Sequence, residues 1–409
     1  MKLNRKKYLL SEDEIRIFYS KRDLQEYLDF RKENDEWISC YINELAAIGI
    51  PNLPLFIPAK CTDISVKRST YTIEVENIDY EQEDNDNCIN NTGLFLIIPY
   101  QNKMVPFPTR GLAYNTICQR VDAYCGTMLR FDEKPTKSVL PIDEKAARLT
   151  RDFELYSDRC KILYRDAMIS AVLSKEYVIL PADKLLGQLE EKLQKTYPDI
   201  EFIGGEVSIE HLICQYNLND RGMEEELRIK LNNMGNNINT LKAGIQFSTS
   251  DIGLSSVTVD IFFDCDGIRM FLAGINIPHK GDTSIEKFAA RMEEFDMILK
   301  ESEERIESLG NMEINNVASV VEQIAQEYNS VFPQKATFEV VNELKLKFQS
   351  GGTGIDVYLG LNDIINRHNI LNILTLSRYL SLLEDVAKLI KLPFDKIDTG
   401  EFNFKNYKK

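Results

Sequence analysis

Residues 253–292 read GLSSVTVDIFFDCDGIRMFLAGINIPHKGDTSIEKFAARM, and this stretch decides the fold. Val257, Val259, Ile261 and Phe263 recur at every second position, the period of a strand with one buried face. Asp266 and Gly267 both tolerate positive φ, which suits a two-residue hairpin turn. GIRMFLAGINI (267–277) is then the predicted return strand. Behind it the period changes. Ile285, Phe288, Ala289, Met292, Phe295, Ile298 and Leu299 fall on one face of a helix. Thr283 as N-cap with Glu286 has capping-box spacing, and Gly310 suits the residue just past the helix end. An antiparallel hairpin followed by a helix with an apolar stripe points to an α+β fold.

Working outward, RDFELYSDRCKILYRDAMISAVLSKEYVILPADKLLGQLEEKLQ (151–194) reads as a helix, a short strand at Tyr177–Leu180 and a second helix capped by Asp183. FIGGEVSIEHLICQYNL (202–218) is strand-like, and RGMEEELRIKLNNMG (221–235) is a polar helix. Residues 1–48 place Ile15, Phe18, Leu24, Tyr27, Leu28, Trp37, Tyr41 and Leu45 at roughly helical spacing, with Ser11 and Glu14 as a capping box. Gly49 and Pro51 stop that pattern. Between 50 and 110, Tyr71, Ile73 and Val75 alternate as a strand and GLFLIIPY (93–100) reads as a buried one. From 312 to 392 the chain is mainly helical, interrupted by FQSGGTGIDVYLGLN (348–362); HNILNILTLSRYLSLLEDVAKLI (368–390) reads as one amphipathic helix. The expected architecture is an antiparallel-rich central sheet flanked by helices, with a mixed N-terminal region and a mostly helical C-terminal region. The expected divisions are 1–145, 146–310 and 311–409.

The net charge is −15 over 409 residues. A nucleic-acid binder needs a basic footprint that displaces counterions from phosphates, so this balance disfavours one. Acid is concentrated in EVENIDYEQEDNDN (74–87), which reads as a solvated hairpin tip or loop, with a surface that attracts a basic partner or mimics the charge of DNA as the alternative. MKLNRKK is followed by no apolar core of a signal peptide, and GLFLIIP is far shorter than a membrane span. A cytosolic protein without membrane contact is expected. The eight cysteines form no CxxC pair and are expected to be reduced core residues.

Three segments, AVLSKEYVILPADKLLGQLEE (171–191), GIQFSTSDIGLSSVTVDIFFDCDGIRMFLAG (244–274) and INIPHKGDTSIEKFAARMEEFDMIL (275–299), carry a resemblance. They are similar to the phage- and plasmid-borne family known as domain of unknown function 932, over about 165–300. A Pro-His-Lys-Gly-Asp loop leading into an amphipathic helix resembles one branch of it. The resemblance implies a mobile-element origin and a bacterial host cytosol. It lends no catalytic residue.

Candidate sites follow from chemistry. His279, Lys280 and Asp282 sit where a helix start offers free N–H groups, so they are candidates for ligand or partner contact, beside a plain strand-to-helix turn. Asp264 and Asp266 are weak candidates for a magnesium-binding carboxylate pair, although Asp266-Gly267 is also explained as a turn. Gly351-Gly352-Thr353-Gly354 lacks the lysine of a phosphate loop. Ser250, Asp251, Ser255 and Ser256 would need His211, His279 or His368 from afar for a catalytic triad. Arg148, Arg151, Arg159, Lys161 and Arg165, read as one helical region, are interleaved with acids and suit a salt-bridged face. No catalytic residue and no cofactor is predicted. The expected function is binding to a host protein complex, with inhibition of an anti-phage defence complex as its concrete form. The alternative is a DNA-transaction protein in replication or recombination, with nucleic-acid binding or nucleotidyltransferase-like chemistry.

Overall fold

The computed structural model describes residues 10, 14–49, 60–61, 64–66, 73–75, 78–79, 91–123, 128, 140–166, 168–372 and 374–407. In chain order the strands are β1 (Arg16–Phe18), β2 (Glu36–Tyr41), β3 (Ala46–Gly49), four short pieces β4 (Lys60–Cys61), β5 (Ile64–Val66), β6 (Ile73–Val75) and β7 (Ile78–Asp79), then β8 (Asn91–Tyr100), β9 (Lys103–Arg110), β10 (Arg159–Arg165) and β11 (Met168–Ser174). They continue with β12 (Glu201–Val207), β13 (Leu212–Asn217), β14 (Leu241–Thr249), β15 (Val257–Cys265) and β16 (Ile268–Ile277), and end with the short pair β17 (Glu313–Ile314) and β18 (Gly352–Thr353). The fold is α+β.

Two six-stranded sheets organise the chain. The first, in the order β1-β12-β13-β14-β15-β16, is antiparallel throughout. The hairpin that decided the fold lies at its edge. Val257 faces Ile277 and Cys265 faces Ile268, and Asp266 (φ 53°) and Gly267 (φ 90°) form the expected positive-φ turn. At Gly274 the strands come closer than any side chain permits, since a Cβ there would lie 2.0 Å from the Val259 carbonyl oxygen. The register slips beside it, between Val259 and Ile261. Helices Gly354–Asn372 and Leu376–Leu389 pack on β16, and buried Tyr358 donates its hydroxyl to the Phe271 carbonyl at 2.6 Å.

The second sheet runs β2-β10-β11-β9-β8-β3, with only the β11–β9 pair parallel. β2 and β3 are consecutive in the chain, joined through the 3₁₀ turn Ile42–Glu44, yet they occupy opposite ends of the sheet. The sheet must therefore curl until its ends meet. Tyr100 at the end of β8 donates to Glu36 at the start of β2 across that seam, at 2.9 Å. Its core is separate: Leu94, Leu96, Ile98, Ile162 and Val172 pack with Tyr114 and Ile117 of helix Gly111–Arg120 and Leu149 and Phe153 of helix Ile142–Phe153.

Several sequence expectations are corrected. Residues 1–48 are not helical throughout: helix Lys21–Asn34, capped by Ser20, stands between β1 and β2, while Ser11 and Tyr71 lie outside the described residues. Residues 159–165 are strand, not helix, so Arg148 and Arg151 share no element with Arg159, Lys161 and Arg165. Cys160, Ile162 and Leu163 are buried on both faces of an inner strand, and so their apolar pattern carries no clean period of two. The curled sheet spans 36–174 and so runs across the expected division at 145/146. Tyr177–Leu180 is no strand but holds one isolated bridge, Tyr177 to Lys280. Asp183 lies in the first turn of helix Ala182–Thr196, whose cap position is Pro181. The stripe from Ile285 to Leu299 spans two helices, Ile285–Met292 and Phe295–Gly310. Ser284, not Thr283, caps the first, and Gly310 is the last helical residue of the second. Residues 368–390 likewise divide, with Thr375 capping a new helix.

Candidate functional site

The PHKGD loop is a clasp. His279 is buried, and its ring stacks on Tyr177 with centroids 5.0 Å apart and planes 7° apart. Its Nδ1 lies 3.0 Å from the Val178 carbonyl oxygen, and its Nε2 lies 3.4 Å from Thr249 Oγ1. Its own carbonyl accepts from the Val178 N–H at 2.8 Å. Burial lowers the His279 pKa, opposed by the Val178 hydrogen bond and by Asp251. Lys280 pairs with Tyr177 through the backbone, Gly281 takes positive φ (72°), and Asp282 is exposed beside Lys287. His279 therefore holds the segment before helix Ala182–Thr196 against the first sheet, while Lys280 and Asp282 remain at the surface.

Asp264 and Asp266 serve the hairpin turn. Asp264 accepts from the Gly267 N–H at 2.8 Å and lies 3.5 Å from Arg269 Nε. Asp266 accepts from the backbone N–H groups of Thr240 (2.8 Å) and Asn239 (3.1 Å). Burial would raise its carboxyl, but these hydrogen bonds together hold it below the ordinary carboxylate value. Among the described residues no group of three or more His, Cys, Asp and Glu side chains is placed to hold a metal ion.

The junction of the two sheets holds a cleft of about 210 Å³. Its charged wall is a network of buried ions. Arg165, at the end of β10, places Nε 2.8 Å from Asp35 Oδ2 and Nη2 2.8 Å from Asp251 Oδ2, in the loop after β14. Arg31 donates to Asp166 Oδ1 at 2.7 Å, and Arg110 donates to its Oδ2 at 3.2 Å. Asp166 sits in the β10–β11 turn with φ of 54°, a conformation aspartate tolerates better than most residues. Burial raises the Asp35 carboxyl, with Arg165 and Arg31 pulling against it. Three arginines and three aspartates thus meet from helix Lys21–Asn34 and its C-cap, β9, β10 and the turn after it, and the loop after β14.

His211 lies on the same cleft. Its Nδ1 is 3.3 Å from Ser255 Oγ, so the fold does bring a distant histidine to one of the serines. Nε2 is buried without a hydrogen-bond partner, and burial lowers the pKa to about 4. The nearby acid, Asp251, is engaged by Arg165. A triad needs a carboxylate on the far ring nitrogen to orient and charge the imidazole, and this histidine has none. Arg31, Asp35, Arg165, Asp166 and His211 were missed as a group in the sequence. The available signal was Arg165-Asp166, a charged pair between the apolar runs KILY and AMISAVL.

A second feature is electrostatic. Helices Arg221–Asn233 and Phe295–Gly310 lie side by side outside the first sheet. Lys230 reaches Glu307 at 3.0 Å and Glu226 at 3.1 Å. Burial raises the Glu303 carboxyl; Lys230 opposes this, and Glu307, Asp220 and Glu226 add to it. Ile229 and Met297, on the same two helices, are about half exposed (48% and 56%). Comparison of the chain with protein-family models, curated proteins and solved structures finds no match.

Proposed function

We propose that this chain is a binding protein of a phage or other mobile element, acting in the bacterial cytosol by stoichiometric contact with a host protein complex. Inhibition of an anti-phage defence complex is its concrete form. The supporting observation is the acidic face of helices Arg221–Asn233 and Phe295–Gly310. Glu226 and Glu307 pair with Lys230, and Glu307, Asp220 and Glu226 act on Glu303; such like-charge crowding works against the folded state. A cationic partner surface would relieve that repulsion and would be steered to it. Ile229 and Met297, on the same two helices, are about half exposed and add apolar surface to them. The same carboxylates repel nucleic-acid phosphates, which sets the DNA-transaction reading second. The mobile-element origin rests on the resemblance of 171–191, 244–274 and 275–299.

The test is affinity capture from bacterial lysate with and without nuclease, using the full chain and its Glu226→Lys/Glu303→Lys variant. The expected result is one nuclease-resistant protein in fixed ratio, lost from the variant and from wild type at high salt. Equal capture by a folded variant would remove this face as the interface. Recovery of nucleic acid, with every protein lost after nuclease, would refute the reading in favour of DNA transactions.

A further inference from the structure

Cys40 of β2 and Cys160 of β10 face each other in the antiparallel register. Their sulfurs lie 3.7 Å apart, and Cys160 Sγ also lies 3.6 Å from the Cys40 carbonyl oxygen. The Ile42 N–H donates to the Asp158 carbonyl in the same ladder, so alternation makes Cys40 and Cys160 a hydrogen-bonded pair. Such pairs have Cα atoms about 5.5 Å apart, inside the window a disulfide spans. Cys214 and Cys265 belong to the other core, under the first sheet.

We infer that Cys40 and Cys160 form a modification site, a dithiol that a peroxide converts to a cross-strand disulfide without rearranging the fold. The Cys160 thiolate attacks a peroxide oxygen and the O–O bond breaks, leaving a sulfenic acid and a hydroxide that takes a proton to become water. The Cys40 sulfur then attacks the Cys160 sulfur; the S–O bond breaks, and the second oxygen leaves as water with the proton that Cys40 gives up. Two thiols and one hydrogen peroxide become one disulfide and two waters, with sulfur oxidised and peroxide reduced. The surroundings favour this order. Donation from the Cys40 thiol holds the Cys160 pKa below its ordinary value against burial, and the Arg120 cation adds to the effect. Cys40 shifts the opposite way through the same contact. The two residues are 6% and 1% exposed, so the oxidant has to be small, and hydrogen peroxide is the smallest of the peroxides. The bond would tie the seam strand of the curled sheet to its neighbour across 120 sequence positions.

The experiment treats the full chain with hydrogen peroxide, blocks remaining thiols and maps peptides without reduction. The expected product is a Cys40–Cys160 linked peptide, loss of two of the eight thiols, and return of both with dithiothreitol. A Cys214→Ser/Cys265→Ser variant gives the same product; Cys40→Ser and Cys160→Ser each abolish it. Should either of these fail to fold, the wild-type map decides alone. A sulfinic acid at Cys160 with Cys40 still a thiol, a link to any other cysteine, or no change in thiol count would each overturn the inference.

Discussion

Replacing Arg165 by methionine tests whether the junction is held by its ions. The side chain is 8% exposed and is shared by Asp35 (12%) on one side and Asp251 (34%) on the other. Removing one member of a buried ion pair costs about 3–5 kcal/mol, because the opposite charge stays buried without it. Asp251, a third exposed, rehydrates; Asp35 does not, and keeps only Arg31 at 3.5 Å. The expected loss is therefore at the lower end, about 3 kcal/mol at pH 7. The sign with pH follows from Asp35. Its folded carboxyl is already raised by burial, and without Arg165 it rises further. A carboxyl raised in the folded state binds its proton more tightly there than when unfolded. Stability then increases as pH falls through the folded value and declines as pH rises through it, so the Arg165→Met deficit shrinks on acidification. Adding Asp35→Asn removes the stranded charge and should recover about 2 kcal/mol of the loss. The assay is urea unfolding followed by fluorescence. The chain has a single tryptophan, Trp37, which lines the cleft and stacks on Tyr177 at 5.9 Å, so the signal reports on this junction. A loss below about 1 kcal/mol, or a double variant as unstable as the sum of the singles, would refute the account of a coupled buried network.

Two further outcomes follow from single positions. His211 has a folded pKa of about 4 against an ordinary 6.5, so the unfolded chain takes up its proton first as pH falls. The stability this represents is complete above pH 6.5 and is lost between there and about 4, a change of about 3 kcal/mol. Urea midpoints across that range should fall less steeply for His211→Gln than for wild type; parallel slopes would contradict the burial argument. Gly274→Ala drives a methyl into the Val259 carbonyl at 2.0 Å and should cost roughly 3 kcal/mol. Its matched control, Gly187→Ala in helix Ala182–Thr196, meets nothing within 4 Å and should stabilise by roughly 0.5–1 kcal/mol. Thermal unfolding of both checks the pair, and equal effects would show that the strand contact yields freely.

What was legible in the sequence was local. The β15–β16 hairpin announced itself because Asp266-Gly267 is turn chemistry between two alternating runs, and both residues do take positive φ. β10 was not legible, because a strand buried on both faces loses its alternation. Helix Phe295–Gly310 was legible in type but not in its start, since the stripe from Ile285 continues in phase across the break at Glu293 and Glu294. The cleft was not legible because its residues lie between positions 27 and 251 and meet only through the pairing of distant strands.

That distribution also explains why charges stand beside apolar side chains at the junction. Each sheet buries its own core, and among the described residues a small apolar cluster of Leu163, Ala171, Leu173, Tyr177 and Ile252, with Trp37, Leu112 and Ile179 against it, lies between them. A patch that small leaves the relative orientation of two layers loosely determined, because apolar contact is non-directional. Arginine–carboxylate pairs are directional, and a mismatched register strands a buried charge. The N-terminal segment adds a covalent tie: β1 and helix Lys21–Asn34 belong with the first sheet, and β2, directly after Asp35, belongs with the second. Asp35 therefore stands where the chain passes between the sheets, and Arg165 anchors it there from β10 while reaching Asp251 in the loop after β14 of the first sheet. The network sets the angle between two independently cored halves, and this predicts how Arg165→Met fails. Trp37 fluorescence should change at lower urea than far-ultraviolet circular dichroism, because the junction opens before either core melts. Coincident transitions would mean that the two cores are coupled by something other than these ions.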